Sequence, residues 1–213
     1  MYSPLVPGGF VQHVAILRSD RDLSFNEPNV EVWHMQPPLL VGHASAAAAN
    51  MDAVCPVVHV VGAIDLDADD CESIKTWLAI VETEKRPYGR IGNLRQYVVK
   101  PHVDWERAKE TNQPLYRKFS CAGFVVECYR EAVGIDLVSL PEITSPEVDL
   151  TMVLGAYPDA DRESLRERFG IRGTGPWKIL LAGYLFHSLK RTPDALIRSG
   201  PHLPSNITEA YFP

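Results

Sequence analysis

Residues 117–135 read RKFSCAGFVVECYREAVGI, a run that combines a cysteine with the start of an amphipathic helix. Ser120 precedes the periodic part of the run and is a favourable N-cap residue, while Gly134 follows it and is typical of a helix end. Apolar residues recur at helical spacing, namely Phe124, Val125, Cys128 and Ala132. The pattern predicts a helix that begins at Cys121 and packs its apolar side into the core.

Cys121 permits two interpretations. Free cysteine is among the most buried residue types, so the thiol could simply fill space. A helix N-terminus, however, carries partial positive charge and unpaired N–H groups, and both favour a thiolate. Cys128 lies two turns further on, about 10 Å away, where we expect core packing. Choosing the chemical interpretation for Cys121 requires a base elsewhere in the chain.

Two strand-like runs near the N-terminus each carry a histidine. VQHVAILR (11–18) is β-branched and apolar, and VEVWHMQ (30–36) alternates before Pro37 and Pro38. If Arg18 pairs with Asn29 in a hairpin, His13 lies directly opposite His34 on the same face. One imidazole could then orient the other as a catalytic base. A slip of one residue would break this arrangement.

Composition bounds the class of protein. The 213 residues are 46% hydrophobic and 23% charged, which is typical of a globular domain, and the net charge of −6 argues against a nucleic-acid partner. No signal peptide and no apolar run of about 18 residues is visible, so we expect a cytoplasmic protein without an integral membrane segment.

The four cysteines match no zinc spacing, and we expect them to be free thiols: Cys55, Cys71, Cys121 and Cys128. We expect no metal and no cofactor.

The remaining pattern predicts an α+β chain. A strand is expected at 54–65 and a helix within 67–89, capped by Asp69 or Asp70, with its apolar face at Ile74, Trp77, Leu78 and Val81. Residues 42–53 could be a short helix or a loop, and 90–116 are expected to be irregular with a possible strand at 96–99. A charged helix is expected at 159–170. Residues 175–192 could be a strand or a helix, and their length and small residues favour a helix before a Pro-rich tail.

HVAILR followed by VEVWHMQPP and a late cysteine that opens a helix resembles the circularly permuted NlpC/P60 group, whose fold is papain-like. The histidine pair resembles the hairpin of the lecithin:retinol acyltransferase and H-Ras-like suppressor branch. RPYG before FSCAGFVVECYREAVGI resembles the bacterial YiiX-like branch. The resemblance covers residues 8–136. It implies a permuted papain-like catalytic domain over 1–140, in which an antiparallel sheet packs on the helix that carries the cysteine. Residues 141–213 would be a helical, Pro-rich extension packed on the same domain.

The resemblance also implies roles for individual residues. Cys121 would be the nucleophile, His13 the base and His34 its polar partner. The Cys121 backbone N–H would stabilise the oxyanion, with Gln12, Tyr88 and Ser120 as further candidates to contact the substrate. The Asn-Cys-Glu-His signature of the acyltransferase branch is absent. The resemblance therefore implies the type of reaction more strongly than it implies the substrate.

Three functions remain open at this point. We expect a thiol hydrolase or acyltransferase that forms a thioester intermediate on an amide, ester or thioester of a small molecule or peptide. A peptidase or amidase acting on peptidoglycan-type or isopeptide bonds is the first alternative. A binding protein that retains the fold without activity is the second.

Overall fold

Helices and short antiparallel strands make up the structure, a computed structural model. It describes residues 16–18, 31–35, 39–43, 66–85, 103–139, 141, 145, 147–156, 161–180 and 182–189. The strands are β1 (Ile16–Arg18), β2 (Glu31–Met35), β3 (Leu39–His43), β4 (Val103–Arg107), β5 (Pro114–Phe119), β6 (Glu147–Val148) and β7 (Trp177–Lys178). The helices are α1 (Ala68–Lys85), α2 (Cys121–Val133), α3 (Leu150–Ala156), α4 (Arg162–Phe169) and α5 (Ala182–Leu189). None of these helices is long and apolar enough to cross a membrane.

The cysteine helix forms as the sequence predicts. The Ser120 Oγ accepts a hydrogen bond from the Gly123 N–H at 2.9 Å, and Gly134 ends the helix in the left-handed conformation with φ 67°. The Gly134 and Ile135 N–H groups then bond back to the carbonyls of Arg130 and Tyr129, as in a glycine C-cap. α1, β2, β4, β5 and α5 all contact α2, so this helix occupies the centre of the described structure.

α1 buries the predicted apolar face, because Ile74, Trp77, Leu78 and Val81 are all buried. Its predicted cap was wrong. The Asp67 Oδ1 accepts from the Asp70 N–H at 2.8 Å, and the Asp67 carbonyl accepts the first helical bond from Cys71. Three neighbouring aspartates each suit an N-cap, so the sequence did not distinguish them.

The predicted register of the first hairpin was also wrong. Arg18 lies opposite Glu31 rather than Asn29, and Ile16 lies opposite Trp33. This register pairs two apolar residues on the face that packs against the core, and such packing specifies register more strongly than loop length does. β3 pairs antiparallel with β2 and places His43 opposite Glu31. The predicted strands at 54–65 and 96–99 lie outside the described residues.

β4 and β5 form a hairpin where the sequence indicated irregular structure. They pair from Val103 with Phe119 to Arg107 with Pro114, with a bulge near Arg107. Asn112 adopts a positive φ of 54° in the turn, a conformation that asparagine tolerates. Residues 103–106 alternate between apolar and acidic side chains, which is a strand signal that the sequence prediction did not use.

The predicted helix at 175–192 is correct for α5 but wrong at its start. Trp177 and Lys178 form β7, which pairs with β6. Gly175 has φ 90°, and a Cβ there would lie 3.1 Å from the Asp149 Cα. Glycine therefore allows the close approach of the two segments and excludes a helix at this point. The charged helix predicted at 159–170 is confirmed as α4.

The Glu131 carboxylate on α2 accepts hydrogen bonds from side chains of both α1 and β5. The Glu131 Oε2 accepts hydrogen bonds from the Trp77 Nε1 at 2.6 Å and from the Arg117 guanidinium at 2.7 Å. Arg117 is buried, and its guanidinium carbon lies 5.1 Å from the Trp77 ring centroid, 5.5 Å from that of Trp105 and 5.6 Å from that of Phe119. The buried cation thus has both a counter-ion and aromatic neighbours, which offset its desolvation.

We expect Glu131→Ala to lower the free energy of unfolding by about 2 kcal/mol, because it leaves the buried Arg117 and the Trp77 indole N–H without their acceptor. Urea denaturation followed by circular dichroism measures the change. Glu72→Ala is the matched control, because Glu72 pairs with Lys75 on an exposed part of α1, and such pairs contribute at most about 1 kcal/mol. Equal losses of unfolding free energy in Glu131→Ala and Glu72→Ala would contradict the stabilising role assigned to Glu131.

Candidate functional site

Cys121 is the most exposed residue in a buried segment. From Phe119 to Cys128 every residue is buried except Cys121, which is half-buried. β5 ends at Phe119 and α2 begins at Cys121, so only Ser120 joins strand to helix. The thiol is therefore held at the first position of a well-packed helix while its surface remains partly accessible.

The electrostatics at this position favour negative charge. Helix geometry leaves the first four N–H groups without intrahelical acceptors, and the helix dipole adds partial positive charge there. No acidic residue lies in the first turn of α2. Cys71 offers a contrast, since it is also half-buried and in the first turn of a helix, but Asp69 and Asp70 lie in that same turn of α1.

Ser120 acts as the N-cap, with its side-chain oxygen accepting from Gly123 and only 5% of its surface exposed. A serine hydroxyl also has one hydrogen to donate, which the cap bond does not consume. The predicted contact of Ser120 with a substrate oxygen is therefore compatible with capping, and it stays a prediction.

Cys128 has the properties of a core residue, as predicted. It is fully buried, and burial raises the pKa of its thiol to about 12. The nearby Glu131 carboxylate raises this pKa further, while Arg117 opposes the shift. A thiol with such a pKa is protonated at neutral pH and is a poor nucleophile.

The histidines predicted for the site are described only in part. His13 lies outside the described residues, as do Gln12 and Tyr88. His34 belongs to β2, where its position pairs with Leu40. With Ile16 opposite Trp33, a regular continuation of β1 does not bring position 13 directly opposite position 34. The structure therefore places Ser120 beside Cys121, and its strand register differs by two residues from the one that put the two histidine positions directly opposite each other.

Strand alternation places His34 on a particular face of its sheet. Trp33 packs against the hydrophobic cluster that includes residues of α2. Neighbouring positions of a strand belong to opposite faces, so position 34 belongs to the face that does not carry Trp33. The Trp33 Nε1 is buried, and no described residue accepts its hydrogen. The sequence did not indicate this feature, since an indole N–H without an acceptor is visible only in a structure.

Glu127 is a second feature that the sequence did not single out. Only 2% of its side chain is exposed, although it lies on the cysteine helix and pairs with Arg130. Burial raises the pKa of the Glu127 carboxyl, and Arg130 opposes that shift. Among the described residues, no group of three or more His, Cys, Asp or Glu side chains is placed to hold a metal ion.

We expect Glu127→Gln to change how stability depends on pH. Because the folded state raises the pKa of Glu127 above its ordinary value of 4.5, it binds this proton more tightly than the unfolded chain does. This contribution to stability is present at pH values below the ordinary pKa and is lost as pH rises through the folded pKa. The free energy of unfolding of Glu127→Gln, relative to the unchanged protein, should therefore increase between pH 4 and pH 7.

Urea denaturation at a series of pH values measures this difference. Glu110→Gln serves as the control, because Glu110 is an exposed glutamate in the turn between β4 and β5. A stability difference for Glu127→Gln that decreases towards neutral pH would contradict the assignment.

Comparison with protein-family models, curated proteins and solved structures finds no match for this chain. The case for a function therefore rests on the residues and geometry of the chain itself.

Proposed function

We propose that this chain is a cysteine-dependent hydrolase or acyltransferase with Cys121 as its nucleophile. The observation that carries the proposal is the exposure pattern of residues 119–128, in which Cys121 is half-buried while its neighbours are buried. A cysteine retained only for packing has no need of that access, whereas a nucleophile must meet its substrate. The proposal also takes the fold to be permuted papain-like, on the resemblance of residues 8–136.

The start of α2 supports ionisation of this thiol. A thiolate rather than a thiol is the nucleophile, and a helix N-terminus stabilises the thiolate. In α2 the Ser120 side-chain oxygen caps the helix by accepting from the Gly123 N–H, and no carboxylate in the first turn opposes the dipole. The two other described cysteines lack this combination, since Cys128 is buried and Cys71 has aspartates in its turn.

The proposed reaction begins when His13 takes the proton of the Cys121 thiol and the resulting thiolate attacks the acyl carbon of an amide, ester or thioester. The carbonyl electrons move to oxygen, and the backbone N–H at the helix start stabilises the resulting oxyanion. When this intermediate collapses, the bond to the leaving group breaks, and His13 supplies the leaving group with a proton. Water or an acceptor amine or hydroxyl then attacks the thioester, gives a proton to His13 and restores the free thiol.

The residues proposed to assist Cys121 are supported by different kinds of argument. His13 is the base by resemblance. His34 keeps its orienting role by resemblance alone, because the observed register replaces the direct pair on which the geometric argument depended. Gln12, Tyr88 and Ser120 are proposed contacts of the substrate, and among them Ser120 lies next to the thiol.

Alkylation of the native protein by iodoacetamide tests the nucleophile. At pH 7 to 8 we expect Cys121 to react at least about 10-fold faster than Cys71, and at least about 100-fold faster than Cys128, because only Cys121 combines access with a favourable helix terminus. Peptide mass spectrometry after timed quenching gives each rate. Labelling in urea provides the control for intrinsic reactivity, since unfolding removes all three environments.

Comparable rates for Cys121 and Cys71 in the native protein would contradict the activation of Cys121. The rate of Cys121 alkylation should also follow a titration whose midpoint lies below the roughly 8.5 of an unperturbed thiol. A midpoint at or above that value would contradict a thiolate stabilised by the helix.

Trapping of the acyl-enzyme tests the chemistry. Incubation with p-nitrophenyl, amide and thioester acyl donors should add one acyl group, visible in the intact mass and lost in Cys121→Ser. We expect His13→Ala to slow this acylation by about 10²-fold or more, the usual contribution of a general base or acid. His202→Ala is the matched control and should leave the rate unchanged.

Adding an amine acceptor separates transfer from hydrolysis, because transfer yields the new amide while hydrolysis yields only the acid. Absence of any adduct with all three donor classes would contradict both forms of the proposal. Equal rates for His13→Ala and His202→Ala would retain a reactive thiol but remove His13 as its base.

A further inference from the structure

We draw no further inference here: the strongest candidate, the open groove between α1 and α2 that Trp77, Ile80 and Ala132 line beside the carboxylates of Asp69, Glu72 and Glu131, carries nothing because those carboxylates already serve the first turn of α1 or pair with Lys75 and Arg117, and nothing in the structure shows what covers it.

Discussion

The acceptor role of the Glu131 carboxylate is the interaction on which the centre of this structure depends. One of its oxygens receives the Trp77 indole N–H from α1 and the Arg117 guanidinium from β5. Glu131 supplies negative charge to Arg117 at 2.7 Å, and such pairing offsets part of the cost of burying a cation among aromatic rings. The contacts among Trp77, Phe119 and Phe124, with ring centroids 5.5 to 6.0 Å apart, then complete the packing of α1 and β5 on α2.

Within this frame, a single helix holds two thiols in opposite environments. Cys121 lies at the helix start, where the backbone presents positive charge and the surface is partly open. Cys128 lies two turns later, where burial and the Glu131 carboxylate both raise the pKa of its thiol. The same carboxylate that stabilises the packing therefore adds to the effect of burial in raising the pKa of the second thiol.

Helix caps and helical periodicity, which depend on residues close together in the sequence, predicted α1 and α2. Ser120 and Gly134 marked the ends of α2, and the apolar spacing of α1 named its buried face, because caps and helical periodicity depend on residues a few positions apart. The hairpin register and the β4–β5 pair depend on partners far along the chain. β7 likewise exists because Val148 is available to pair with Trp177, a contact that no local pattern encodes. For the candidate site, the sequence predicted that Cys121 begins a capped helix, whereas convergence of distant histidines on it is a property of tertiary structure that spacing cannot establish.

The exposure pattern of residues 119–128 also limits how this helix could distinguish one reaction partner from another. Phe119 and Ala122 have no exposed surface, and Cys121 is the half-buried residue of this segment. The first two turns of α2 can therefore offer a bound molecule charge but little side-chain surface. A preference for molecular size or shape would have to come from other parts of the chain.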